Sequence, residues 1–459
     1  MKKAHSLAEM LLSCDPRPLE RDELEGFFVN TAAARDPVMS RRDEIRKRLE
    51  ASPDANTKVL LSGHGGCGKS TELVKLADEV QNTFFTVSFS VVQECNLFHV
   101  PVEDLLLVMM ERLLDACKNA GLADQFRGNE ETLRSINEWF ATELQITEEK
   151  VEAGGSAEGG VDTSASLLGR TLGLFVKLKA FIRRADQRVH RMTHEKPHRL
   201  SELAERCNLL IKAVKQALHA AQRRLLIVIE DLDKVNLSDA RRIFLEQPAV
   251  LAELACNMIC TVPIFLLHSP DRAAFERHFG IVELPMLKVT GPDNLPCPEG
   301  RKTIREIVER RVAPELIQPD ALELLIEKSG GVLRDVFEVL VVASGAAESL
   351  AAQKKQSAVV ARGNVRYGLN RRKNEYARAI TVIDLPKDWK LTIADLYKKL
   401  GELRAGPVRV LPSEPATMVL LKARAIMEYN GEGWFALHPL VVELLDSLGE
   451  SPWLSTPMA

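Results

Sequence analysis

The sequence is poor in aromatic residues. Phe, Trp and Tyr make up 5% of its 459 residues, with only four Trp and four Tyr. A protein that grips single strands by stacking bases on aromatic platforms needs more of them, so that class is disfavoured. There is no apolar run of the ~18 residues that a membrane-spanning helix needs, and no membrane partner is expected. The net charge is only −3, which excludes a globally basic nucleic-acid binder and leaves room only for local basic surfaces. The eight cysteines are scattered, Cys256 and Cys260 being the nearest pair. Without paired CxxC motifs a zinc ribbon is disfavoured, and reduced thiols in a cytoplasmic protein are expected. Lys2 and Lys3 ahead of Leu11-Leu12-Ser13-Cys14 imitate a lipoprotein signal, but His5 and Glu9 interrupt the apolar stretch, so export is not expected.

Hydrophobic residues account for 46% of the chain and charged residues for 27%, enough for a large core. At ~150 residues per domain, the length suggests about three domains. Uninterrupted apolar runs at Lys58–Ser62, Phe84–Val92, Leu225–Ile229, Met258–Val262 and Ile281–Val289 alternate with helical patterns. This predicts an α/β fold: a parallel sheet with both faces covered. Residues 1–57 read as an N-terminal helical segment and 58–291 as the core, with a helical insertion over 103–222. A helical lid (292–352), a basic linker (353–390) and a C-terminal unit (391–450) follow. The last reads helix, helix, hairpin, with Asn430-Gly431 between apolar alternations as the turn signal, which is the outline of a winged helix.

Gly63-His64-Gly65-Gly66-Cys67-Gly68-Lys69-Ser70-Thr71 fits G-x-x-x-x-G-K-[ST] between a predicted strand and a predicted helix. Glycines in such a loop let backbone N–H groups turn toward phosphate oxygens, and the helix N-terminus adds partial positive charge. Lys69 is then expected to reach the β- and γ-phosphates of ATP, and the Ser70 hydroxyl to ligate Mg²⁺. The strand Leu225–Ile229 ends in Glu230-Asp231, within Glu230-Asp231-Leu232-Asp233-Lys234. One of these two acids would hold Mg²⁺ and the other would orient or deprotonate water; the order Glu-Asp leaves open which does which.

These strings, Ser62 to Leu73 and Ile229 to Lys234, resemble those of ATPases that join an AAA+-type core to a C-terminal winged helix, and most of all the bacterial STAND-related ATPases. Archaeal and origin-recognition ATPases share the outline. The resemblance implies further roles: Thr261 as the polar sensor at the next strand's end, Arg277 (or Arg272) as an arginine finger acting on a neighbouring subunit, and Arg334 as the lid residue that reads the γ-phosphate. It also implies a nucleotide-driven assembly or signalling switch, in a bacterial signalling or antiviral-defence setting, forming a homo-oligomer or acting with a separately encoded effector. Ala34-Arg35-Asp36-Pro37-Val38 stands roughly where that family contacts adenine, without matching its pattern.

Two basic stretches support a competing reading, a DNA-binding initiator or loader. Residues 177–199 carry a net +6 and residues 354–378 a net +7, and either could meet a phosphate backbone. His190, His194 and His198 fall four residues apart, but Pro197 interrupts them and a metal face is not expected. The second helix of the C-terminal unit, Glu414–Lys422, offers few groups for reading bases, which favours the assembly switch.

Overall fold

The computed structural model describes residues 1–36, 38–51, 56–96, 99–122, 131, 134–135, 138, 197–219, 221–354, 358–383, 385, 389–429 and 433–448. Five strands form one sheet: β1 (Lys58–Ser62), β2 (Phe84–Ser90), β3 (Arg224–Glu230), β4 (Asn257–Val262) and β5 (Gly280–Glu283). Their order is β2-β3-β4-β1-β5, and every pair is parallel. The strand carrying the acids is therefore separated from the glycine-loop strand by β4. All five strands run the same way, so the C-terminal ends of β1, β3 and β4 open onto one edge, where ligands bind in open α/β sheets.

The uninterrupted apolar runs are explained by two-sided burial. Along β1, Val59 and Leu61 belong to one core and Leu60 to the other; along β3, Leu226 and Val228 oppose Leu225, Ile227 and Ile229. This is the two-residue period of a strand with both faces covered. Helices α1 (Arg41–Glu50) and α2 (Lys69–Glu79) cover one face through Ile45, Leu49, Leu73 and Leu76. Helices α3 (Val102–Asn119) and α4 (Pro197–His219) pack on each other and on β2 and β3 on the other face. They are the two ends of the expected insertion. Its middle lies outside the described residues, with the expected helix at 172–190, the basic stretch at 177–196 and His190 and His194.

The stretch expected to be a lid is helical: α5 (Pro298–Arg311), α6 (Pro319–Lys328) and α7 (Leu333–Lys354). Proline at the first position of α5 and α6 supplies the helical φ where its missing N–H costs nothing. The stretch read as a basic linker contains α8 (Arg362–Ala379), an 18-residue helix packed on α6 and α7. Its buried face, Val365, Leu369, Arg372 and Tyr376, follows helical spacing. Its charges are partly consumed: Arg366 pairs with Glu443 at 3.1 Å, and Arg372 with Asp335 at 2.8 Å and Glu338 at 2.7 Å.

The C-terminal module contains α9 (Ile393–Leu403), α10 (Pro415–Lys422), the antiparallel hairpin β6 (Ile426–Tyr429) and β7 (Trp434–Leu437), and α11 (Pro439–Leu448). Six residues of α10, Ala416 to Leu421, are buried, and this helix packs on the segment Ile264–Leu267 that follows β4. On the hairpin, Met427, Tyr429 and Trp434 join the same core as β1 and α2, so the module is built onto the five-stranded sheet. Among the described residues no helix is long and apolar enough to cross a membrane. No disulfide joins cysteines among the described residues, and burial pushes the Cys14 and Cys256 thiols up to about 11.

Candidate nucleotide site

Between β1 and α2 the loop Gly63–Gly68 turns tightly. Gly66 at φ 84° and Gly68 at φ 105° occupy the left-handed region that other residues rarely enter. The left-handed Gly68 caps α2, and Lys69 opens that helix. The Lys69 side chain is 6% exposed. Its Nζ donates to the carbonyls of Gly63 (2.8 Å) and His64 (3.1 Å) and pairs with Asp233 Oδ2 at 2.8 Å. Burial works against its charge, but Asp233 more than compensates and raises its pKa.

The acids gather opposite. Glu230 ends β3, and burial, reinforced by Asp231 and Asp233, pushes its carboxyl up to about 7; the adjacent Ser70 hydroxyl counteracts this. Asp231 sits in a left-handed conformation at φ 65°, which redirects the chain after the strand. Its carboxylate accepts from Ser90 Oγ at 2.6 Å and pairs with Lys234 at 2.6 Å. Asp233 is 8% exposed; burial would raise its carboxyl, and Lys69 pulls it below the usual value. Thr261, 1% exposed near the end of β4, stands beside Asp233.

These groups line a cavity of about 580 Å³. Lys69, Ser70, Thr71, Glu230, Asp231 and Arg334 all face it, so most of the residues expected from the sequence come together there. Thr261 lies just behind, against Asp233. Arg272 and Arg277 do not line it. Both are exposed on the short helical turn around Ala273–Glu276, and Arg272 pairs with Glu276 at 3.1 Å. Among the described residues no group of three or more His, Cys, Asp or Glu forms a cage for a metal. Mg²⁺ needs none when it is shared with phosphate oxygens, and Ser70 beside Glu230 is the hydroxyl–carboxylate donor set that suits it.

Several contributors escaped the sequence reading. The N-terminal segment supplies one wall of the cavity through Leu19, Phe28 and Arg35. Arg35 is 4% exposed and donates to Thr31 Oγ1 (2.7 Å), to the Cys67 carbonyl (2.5 Å) and to the Pro285 carbonyl. It stands in the string that occupies the adenine-contacting place, but its partners belong to the loop and to the stretch after β5. Asp233 was visible in the acidic string without a sign of its partner. Ser90 carried no signal.

The lid and the C-terminal module also reach the loop. The Arg334 backbone N–H donates to the Gly66 carbonyl (3.3 Å), and Arg424 Nη1 donates to the Gly65 carbonyl (3.2 Å). The His64 ring, 1% exposed, accepts at Nε2 from the Glu428 backbone N–H at 2.8 Å. Burial, reinforced by the charges of Lys69 and Arg424, lowers its pKa to about 3, which keeps the ring neutral and able to accept.

The strand order, the loop and the facing acids define a P-loop NTPase domain. A family model described as the KAP family P-loop domain matches residues 43–245. Solved structures with a similar chain path include the Orc1 protein of Aeropyrum pernix in complex with DNA (12% identity, 98% of this chain and 97% of that one, TM-score 0.40). Cdc6p of Pyrobaculum aerophilum (11%, 92% and 97%, TM-score 0.36) and a Walker-type ATPase of Pyrococcus abyssi (12%, 95% and 99%, TM-score 0.41) are others. No curated protein matches the sequence.

Proposed function

We propose that the protein binds and hydrolyses ATP with Mg²⁺ and uses the cycle as an assembly or signalling switch. The observation that supports this most is the convergence of core, lid and C-terminal module on one loop, through His64, Gly65 and Gly66. A ligand that settles in the loop is then felt by all three. In this reading Lys69 leaves Asp233 for the phosphates, and Ser70 and Glu230 hold the metal side. Asp231, fixed by Ser90 and Lys234, orients the attacking water. Mg²⁺, when bound, neutralises charge on the β- and γ-oxygens. Arg334 would follow the γ-phosphate from the lid, and exposed Arg277, or Arg272, would complete the site of a neighbouring copy. The effector is a separate protein, and signalling or antiviral defence in a bacterium is the setting, with the C-terminal module acting as a winged helix that senses rather than reads DNA.

The buried α10 supports this over the initiator-type reading, because the helix that would enter a major groove is already packed inside. The test is light scattering of the full chain with Mg-ATP, with Mg-ADP and without nucleotide, beside phosphate release. Growth with ATP alone, abolished in Lys69→Ala, is expected. A particle of constant size that still releases phosphate would sink the switch and promote DNA-stimulated hydrolysis.

A further inference from the structure

The carbonyls of the phosphate loop are each held by a donor. Gly63 and His64 accept from Lys69 within the motif. The next three accept from beyond it: Gly65 from Arg424, Gly66 from the Arg334 N–H and Cys67 from Arg35. Packing repeats the pattern independently. A Cβ on Gly66 would meet Arg334 Cβ at 2.7 Å and Arg424 Nη1 at 3.5 Å, one on Gly65 would meet Arg424 Cδ at 3.8 Å, and one on Gly68 would meet Arg35 Nη2 at 3.4 Å. The amides of Gly65, Gly66 and Gly68 donate to no group among the described residues. A peptide whose carbonyl is pinned on one side presents its N–H on the other, which is what phosphate oxygens require.

We infer that Arg424 of the C-terminal module, with Arg35 of the N-terminal segment, is a positioning residue for nucleotide phosphates, acting through the Gly65 and Cys67 carbonyls to hold the loop in its binding shape. Arg424 is itself held in place. Its backbone is left-handed at φ 59°, its guanidinium lies 5.6 Å from the Tyr376 ring centre, and Asp335 Oδ1 is 3.7 Å from its Nη1. The adjacent His64–Glu428 bond fixes the hairpin to the same loop. The C-terminal module is thereby a structural part of the nucleotide site without touching the nucleotide. The reverse follows by linkage: phosphates that order the loop strengthen the docking of residues 424–429.

This rests on nucleotide binding as proposed above, and the experiment separates the two. Dissociation constants for ATP, ADP and tripolyphosphate are measured by displacement of a fluorescent nucleotide from the full chain, for wild type, Arg424→Met, Arg424→Lys and Arg366→Met. Arg366→Met breaks an ion pair of α8 with the same module, away from the loop. Arg424→Met should weaken all three ligands by about tenfold, since the bond has a charged donor. Arg424→Lys should recover most of the loss, and Arg366→Met should bind as wild type. Equal losses for ATP and tripolyphosphate place the effect on the phosphates rather than the base. Wild-type constants in Arg424→Met would overturn the inference, as would an equal loss in Arg366→Met. Absence of binding in the wild type itself would overturn the proposed function along with it.

Discussion

Asp335 is the acid whose loss should be most visible. It is 1% exposed, near the start of α7, where lid, α8 and the C-terminal module meet. Its Oδ1 accepts from Arg372 Nε (3.0 Å) and Nη2 (2.8 Å), its Oδ2 accepts from the Tyr376 hydroxyl (2.7 Å), and His438 Nε2 lies 3.4 Å away. His438 Nδ1 accepts from the Leu440 N–H, so its proton sits on Nε2, facing Asp335 and the Ser329 carbonyl. Burial alone would raise the Asp335 carboxyl; the His438 hydrogen bond and the charges of Arg424 and Arg372 overcome it and hold it well below the usual value. Asp335→Asn removes the charge and turns a donor toward the tyrosine or histidine proton. Breaking a buried pair costs about 3–5 kcal/mol, and because Arg372 keeps Glu338 and Glu375 the lower end, ~3 kcal/mol, is expected. At 1.36 kcal/mol per decade, that speeds hydrogen exchange through local opening by about a hundredfold in α8 and in residues 424–445. The acid's pKa is depressed, so its contribution is complete above the unfolded value of 3.8 and is lost only as pH falls below it. The gap between variant and wild type should therefore stay constant from pH 5 to 9. Exchange within threefold of wild type at pH 7 would refute the reasoning.

Three further outcomes are expected. Gly66→Ala should abolish nucleotide binding in a folded protein, because a Cβ at φ 84° is strained and meets Arg334 Cβ at 2.7 Å; isothermal titration checks it. Asp233→Asn should tighten ATP binding several-fold, since the phosphates no longer compete with a buried counter-ion for Lys69, and an unchanged constant would show that the pair does not oppose binding. Glu230→Gln should raise the melting temperature of the nucleotide-free protein, by an amount that grows with pH. With a carboxyl raised from 4.5 to about 7, native stability declines as pH rises through that window, so the gain should be negligible at pH 4.5 and several degrees at pH 8.

Some parts of this molecule could be read from the chain because the physics is local. Leu225–Ile229 and Met258–Val262 are continuous apolar runs because both faces of those strands are covered, and the glycine loop lies within nine consecutive residues. The run Ile281–Val289 promised a longer strand than Gly280–Glu283. Most of its remainder is buried, but Pro285 cannot donate to a ladder, and Leu284 closes the register by donating to Ser62. The basic composition of 353–390 suggested a linker, whereas the spacing of Val365, Leu369, Arg372 and Tyr376 already spelled a helix face. Arg35, Asp233 and Arg424 could not be read as partners. Each acts across the fold, Arg424 across 359 positions, and no local pattern records which carbonyl a lone arginine will find.

That separation has a bearing on how the protein comes into being. Residues 63–71 leave the ribosome long before Arg424 is made, and at ~5–20 residues per second the delay is on the order of 20–70 s. Through that interval the loop has Arg35 at hand but not the donor for Gly65. The nascent core can build its sheet from β1 to β5 while its phosphate cradle is still unfinished. On the proposed reading, capture of nucleotide thus waits for residue 424 to emerge, and a chain cut short before it should be left without a completed site.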